Sequence, residues 1–139
     1  MTESGSEATA SVATAVTADD RTPSAVLRAT IAAALIGAAI IHIAMVPQHM
    51  SEWAPEGWAF LLAGWLQVAL GVAIVLRTRR WMLSLTAIAS LVFVAAWVIT
   101  RTTGAPWGPN SGVAEPVAFV DLACAILEGA TVVLALLAP

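Results

Sequence analysis

Charged residues are scarce in this chain, and lysine and tyrosine are absent. Only 11 % of the 139 residues are charged, whereas a soluble domain averages about 25 %. Hydrophobic residues make up 60 % of the chain. This composition leaves too little polar surface to face water and too much apolar surface for a disordered chain. We therefore predict an integral membrane protein, long enough for one domain.

The single cysteine, Cys124, excludes an internal disulfide and any zinc motif built on paired cysteines. We interpret it as a small apolar packing residue. All basic residues are arginines, and they form no patch of the kind that nucleic acid requires, so nucleic acid is excluded as a partner. The sequence also lacks the motifs of serine hydrolases, zinc proteases and phosphate-binding loops.

The first part of the chain, residues 1–24, is rich in serine, threonine, alanine and acidic residues and has no aromatic residue. Such a segment buries too little apolar surface to offset the entropy of ordering it. We predict a disordered cytoplasmic tail over residues 1–24 and a four-helix transmembrane domain over residues 25–139.

Four apolar stretches are long enough to cross a bilayer as helices, which takes about 20 residues each. Their predicted limits are 25–46, 58–76, 81–100 and 117–137. We expect an all-α bundle of two antiparallel hairpins, because helices satisfy their own backbone hydrogen bonds in hydrocarbon and the alternation of a barrel is missing. Pro47 and Pro55 are expected to break the chain after the first helix. The connection at 77–80 is so short that it predicts a hairpin of the second and third helices.

The arginines predict the orientation. Five of them lie before or near the start of the first span or between the second and third spans: Arg21, Arg28, Arg77, Arg79 and Arg80. By the positive-inside rule that side is cytoplasmic. We therefore predict a multi-pass protein of the cell membrane with both termini in the cytoplasm. The connections at 47–57 and 101–116 would then face outward.

Polar side chains inside the spans are few and unevenly placed. They are His42, Gln67, Arg101, Asp121 and Glu128. With a rise of about 1.5 Å per residue, Glu128 lies near the midplane and the others lie in the outer half. Asp121 and Glu128 are one heptad apart and so share a helix face. Because ionisable groups in membranes usually face a bundle interior or water, we predict an outward-facing polar cavity, with Glu128 at its floor and Arg101 at its mouth.

Each of these residues also has a structural interpretation. Asp121 could pair with Arg101 or His42 merely to neutralise charge, and Arg101 could anchor its helix at the interface. Gln67 and a neutral Glu128 could join helices through hydrogen bonds.

A metal site is a further hypothesis. His42, His49 and Glu52 form the pattern H-x6-H-x2-E, and two imidazoles with a carboxylate could bind a divalent metal of the zinc or copper type. The spacing is not a recognised ligand motif, and Pro47 interrupts the helix between the histidines. Haem is disfavoured, because no second helix carries a histidine.

One segment carries a family resemblance. The run RTTGAPWGP at 101–109, followed by Glu115, Asp121 and Glu128, is similar to a segment of small four-helix membrane proteins of actinobacteria. The first histidine segment, His42…His49-x-x-Glu52, and Gln67 also resemble that group's first hairpin. The resemblance covers about residues 42–128. It implies the four-helix architecture and the same outer residues, and it implies no activity.

These observations favour a non-enzymatic membrane protein that is an accessory subunit or binds a small cation or polar ligand in the outward cavity. One alternative is a proton or metal-ion transport component that uses His42, Asp121 and Glu128. Another is a membrane enzyme or redox helper with a histidine as acid or base, which is disfavoured because no nucleophile–base pair is visible. The lipid bilayer is the predicted partner. A homo-oligomer or a larger membrane complex would give a transport path more room.

Overall fold

The computed structural model describes residues 23–138, and this part of the chain consists of four helices. They are α1 (Ala25–Glu52), α2 (Ala54–Leu76), α3 (Arg80–Thr102) and α4 (Phe119–Leu137). The predicted all-α, four-helix architecture is confirmed. Each helix is long and apolar enough to cross a membrane, so the fold is compatible with a small multi-pass membrane protein. Apart from Pro23 and Ser24, the predicted disordered tail lies outside the described residues.

The first corner differs from the prediction. Pro47 does not end α1, which continues to Glu52. Proline removes one backbone hydrogen bond, and a spanning helix tolerates this where neighbours stabilise it. Here Gln48 Nε2 donates to Glu52 Oε1 over 3.0 Å, a pair one turn apart beyond the proline. Pro55 likewise lies inside a helix, at the start of α2, where its missing N–H is not needed.

The expected outward connection at 47–57 is therefore reduced to one extended residue, Trp53. The two helices meet closely at this corner. A Cβ atom added to Gly57 would lie 2.4 Å from the Met50 Cγ atom and 2.7 Å from the Met50 backbone nitrogen. Only a residue without a side chain allows α2 to start this close to the end of α1.

The helices pack in the order α2–α1–α4–α3 around the bundle. The predicted α1–α2 and α3–α4 hairpins form, and α1 also packs along α4. The prediction that α2 and α3 pack together as a hairpin is wrong. These two helices make little contact with each other, although only three residues connect them. Side chains fill the space between α2 and α3, because Ile31 and Leu35 of α1 share a buried cluster with Ile74 of α2 and Leu83 of α3.

The two ends of the bundle differ in packing. We call the end with the Arg77–Arg80 connection the arginine end, and the end with Trp53 and the 103–118 loop the loop end. The cluster of Ile31, Leu35, Leu70, Ile74 and Leu83 fills the interior toward the arginine end. At the loop end, Gly108 lies against the Trp53 ring, where an added Cβ atom would be 3.2 Å from Cε3. The long loop therefore rests on the α1–α2 corner.

Candidate functional site

A cavity of about 340 Å³ lies among all four helices toward the loop end. Its polar lining consists of His42, His49, Glu56, Thr100, Arg101, Glu115, Asp121, Cys124 and Glu128. Its apolar walls include Met45, Phe60, Phe93 and Trp97. Four of the five residues predicted from sequence line this cavity, and the fifth, Gln67, lies directly behind them.

A chain of hydrogen bonds crosses three helices at the floor of the cavity. His42 Nδ1 lies 3.1 Å from Gln67 Oε1, and Gln67 Nε2 donates to Glu128 Oε1. Gln67 is fully buried, and Glu128 is 2 % exposed. The amide therefore joins α1 to α4 through α2, as the structural interpretation of Gln67 proposes.

The same contacts determine the histidine tautomer. His42 Nδ1 also lies 3.1 Å from the backbone oxygen of Ala38, which can only accept a hydrogen bond. Nδ1 is therefore assigned the proton, and Nε2 keeps its lone pair. Phe60 and Phe93 hold the ring on two sides, each with its ring centroid 5.3 Å away.

Cys124 belongs to this floor, which the sequence interpretation as a packing residue did not foresee. Its Sγ atom lies 3.8 Å from His42 Nδ1. His42, Cys124 and Glu128 each offer one possible ligand atom, and these three atoms lie within 4.8 Å of one another. The signal was available, since Cys124 and Glu128 are four residues apart and so share a face of α4.

The predicted metal set His42, His49 and Glu52 is divided by the structure. His42 groups with Cys124 and Glu128 on the cavity floor, whereas His49 groups with Glu52 and Glu56 nearer the rim. His49 Nδ1 lies 3.4 Å from Glu56 Oε1 and 3.9 Å from Glu52 Oε2. The two histidines separate because α1 is continuous and places them two turns, about 10 Å, apart along its axis. Phe60 packs against both rings, with its ring centroid 3.9 Å from that of His49.

At the mouth, Arg101 joins α3 to the long loop and to α4. Its Nη1 donates to Glu115, and its Nη2 donates to Asp121 Oδ2 over 2.7 Å. Asp121 Oδ2 also accepts from the Ala118 backbone N–H over 3.3 Å, which caps the start of α4. Asp121 therefore has the charge-neutralising partner that its structural interpretation required.

Two further buried polar residues were missed in the sequence. Thr86 and Ser90 of α3 are buried. The Thr86 hydroxyl has no hydrogen-bond partner among residues 23–138, and Ser90 lies next to the Glu128 carboxyl group. Polar side chains are thus not confined to the loop-end half. Hydroxyl groups are small and uncharged, so they barely lower the mean hydropathy of a strongly apolar helix and give little signal in the sequence.

Replacing Gln67 by leucine is expected to lower the free energy of unfolding by about 1–3 kcal/mol. The change removes the donor to Glu128 Oε1 and the acceptor of His42 Nδ1, in a place that is fully buried. Denaturant titration in detergent would measure this. The matched control is Gln48→Leu, because Gln48 is exposed and its loss should cost less than about 0.5 kcal/mol. Equal effects would contradict a bridging role.

Comparison of the chain with protein-family models, with curated proteins and with solved structures found no match. The resemblance to small actinobacterial membrane proteins stays a prediction.

Proposed function

We propose that this protein is a multi-pass protein of the cell membrane that binds a small ligand in an outward-facing cavity. The observation that supports this is a cavity of about 340 Å³ lined by charged and polar side chains from all four helices. Trp97, one of the lining residues, also has a buried ring N–H that lacks an acceptor within the described residues. A few polar groups that converge on an otherwise apolar pocket are typical of a small-ligand site.

The orientation is part of the proposal. Arg77, Arg79 and Arg80 lie at the arginine end, and the positive-inside rule assigns this end to the cytoplasm. The loop end and the cavity mouth then face outward. Apolar side chains cover the outside of the helices, and we propose that lipid surrounds them; a homo-oligomer or larger complex stays a prediction.

Binding is favoured over passage through the bundle. Ile31, Leu35 and Ile74, each at most 1 % exposed, fill the interior between the cavity and the arginine end. In addition, Asp121 is paired with Arg101 at the mouth of the cavity. Ion transport is therefore the second candidate, supported by the buried hydroxyls of Thr86 and Ser90 beyond the cavity floor.

The chain's own cysteine gives a direct test. Cys124 lines the cavity and is the only cysteine, so a membrane-impermeant methanethiosulfonate reagent added to intact cells is expected to modify it. Modification is read as a mass increase of the purified protein, and Cys124→Ala should show none. In that background Thr100→Cys, a second lining position, should also react from outside.

Labelling at two positions outside the cavity tests the proposed orientation. In the Cys124→Ala background, Ser111→Cys in the long loop should react rapidly in intact cells, and Thr78→Cys should react only after the membrane is opened. The reverse pattern would overturn the orientation. Labelling of Ser111→Cys without any labelling of Cys124 or Thr100→Cys would overturn an open cavity.

A further inference from the structure

We propose that the cavity floor is a binding site for a divalent transition-metal ion of the zinc class, with His42, Cys124 and Glu128 as its ligands. This inference rests on the proposed function and names the ligand of that cavity. The three side chains come from α1 and α4, which pack along each other.

The geometry suits a small tetrahedral ion. The three ligand atoms lie within 4.8 Å of one another. Zinc bonds of about 2.0–2.3 Å bring ligand atoms to about 3.3–3.8 Å from each other, so small side-chain rotations would close the site. The fourth position faces the cavity, as in zinc sites that keep an exchangeable ligand.

The surrounding contacts position the ligands. Cys124 Sγ lies 3.8 Å from His42 Nδ1, so Nδ1 is the nitrogen on the thiol side of the ring, and a metal bound there would replace its hydrogen bond to the Ala38 oxygen, with the proton on Nε2. Gln67 donates to Glu128 Oε1 and so supports the carboxylate from behind. A cation among the three ligand atoms would give the buried carboxylate a charged partner.

Charge and ligand softness select the class of ion. One thiolate and one carboxylate neutralise a divalent cation, so the complex adds no net charge to an apolar interior. Coordination by Cys124 releases its thiol proton to the water in the cavity. Sulfur and imidazole ligands favour zinc or copper over magnesium or calcium. The second cluster is a weaker candidate, because the Glu52 side chain is 49 % exposed and water competes there.

Metal binding is tested on the full chain, purified in detergent with chelator and then mixed with Zn²⁺ or Co²⁺. We expect one equivalent of Zn²⁺ by elemental analysis after dialysis. Cobalt should give a near-ultraviolet sulfur-to-cobalt charge-transfer band. In Cys124→Ser the band should disappear, and the zinc affinity should fall at least about tenfold. Gln67→Ala, which removes only the supporting amide, should weaken binding about 10–100-fold.

Glu52→Ala is the matched control, because Glu52 belongs to the other cluster and does not line the cavity. It should leave the zinc stoichiometry and the cobalt band unchanged. Absence of zinc from the wild type, or a loss of zinc in Glu52→Ala with none in Cys124→Ser, would overturn the proposal. Circular dichroism of each variant separates loss of the site from loss of the fold.

Cysteine labelling distinguishes the two proposals. If Zn²⁺ occupies the floor, it should protect Cys124 from the impermeant reagent and leave Ser111→Cys reactive in the Cys124→Ala background. Labelling of Cys124 that zinc does not slow would overturn the metal site and leave the outward cavity in place. Failure of Cys124 and Thr100→Cys to react without metal would instead overturn the cavity.

Discussion

Replacement of Arg101 by leucine is expected to lower the free energy of unfolding by about 2 kcal/mol. The Arg101 side chain is 12 % exposed and donates to both Glu115 and Asp121. Leucine fills part of the space, but it leaves two carboxylates together without their cation. Those carboxylates are 37 % and 23 % exposed, so water relieves part of the penalty that a fully buried pair would impose.

Denaturant titration in detergent would measure the loss, and limited proteolysis of the 103–118 loop would locate it. Arg101→Lys is the informative control, since an ammonium keeps the charge but lacks the planar fork that reaches two partners. Its free energy of unfolding should lie between those of the wild type and Arg101→Leu. Neutralising Glu115 and Asp121 together in the leucine variant should recover part of the stability. If Arg101→Leu were as stable as the wild type, the ion pairs of Arg101 with Glu115 and Asp121 would not stabilise the mouth of the cavity.

Replacement of Gly104 by alanine is expected to cost about 3 kcal/mol, the other large effect. Gly104 has a φ of 78°, and an added Cβ atom would lie 2.4 Å from the Val113 nitrogen and 2.6 Å from the Gly112 carbonyl carbon. The left-handed conformation costs about 1–2 kcal/mol for alanine. The clash is with backbone, which cannot rotate away, and overpacking of this kind adds about 1–3 kcal/mol.

Gly112 is a matched control for this prediction. Its φ is 76°, and nothing within the described residues lies within 4 Å of an added Cβ atom. Gly112→Ala should therefore show only the backbone cost, about 1–2 kcal/mol. The difference between the two variants, measured in the same denaturant titration, isolates the close approach at Gly104. Equal losses would contradict this packing of the loop.

Several of the residues that line the cavity could be predicted from the sequence, each from its own position in an apolar helix. An ionisable side chain in an apolar helix has a strong signal, because hydrocarbon excludes it unless it faces the interior. This argument predicted His42, Arg101, Asp121 and Glu128, and all of them line the cavity. Cys124 was interpreted as a packing residue because a thiol is apolar enough to fit any packing position. Its contact with His42 joins two helices and appears only in the tertiary structure.

The division of the metal-ligand set has a different cause. His42 and His49 were grouped because they are close in sequence, but the continuous helix α1 places them about 10 Å apart and in different clusters. Likewise, Pro47 was expected to end a helix on local propensity. The helix instead continues to Glu52, where the start of α2 at Gly57 packs against its last turn at Met50.

Composition and hydropathy were sufficient to predict the all-α architecture, the number of helices and their approximate limits, since these depend on the length of each apolar stretch and on the backbone's need for internal hydrogen bonds. The contacts between side chains of different helices could not be predicted in this way. Gln67 with Glu128, Cys124 with His42, and Arg101 with Glu115 join residues far apart in the chain. Such pairs depend on which helix faces meet, and α1 came to lie between α2 and α4 through close packing that no local pattern specifies.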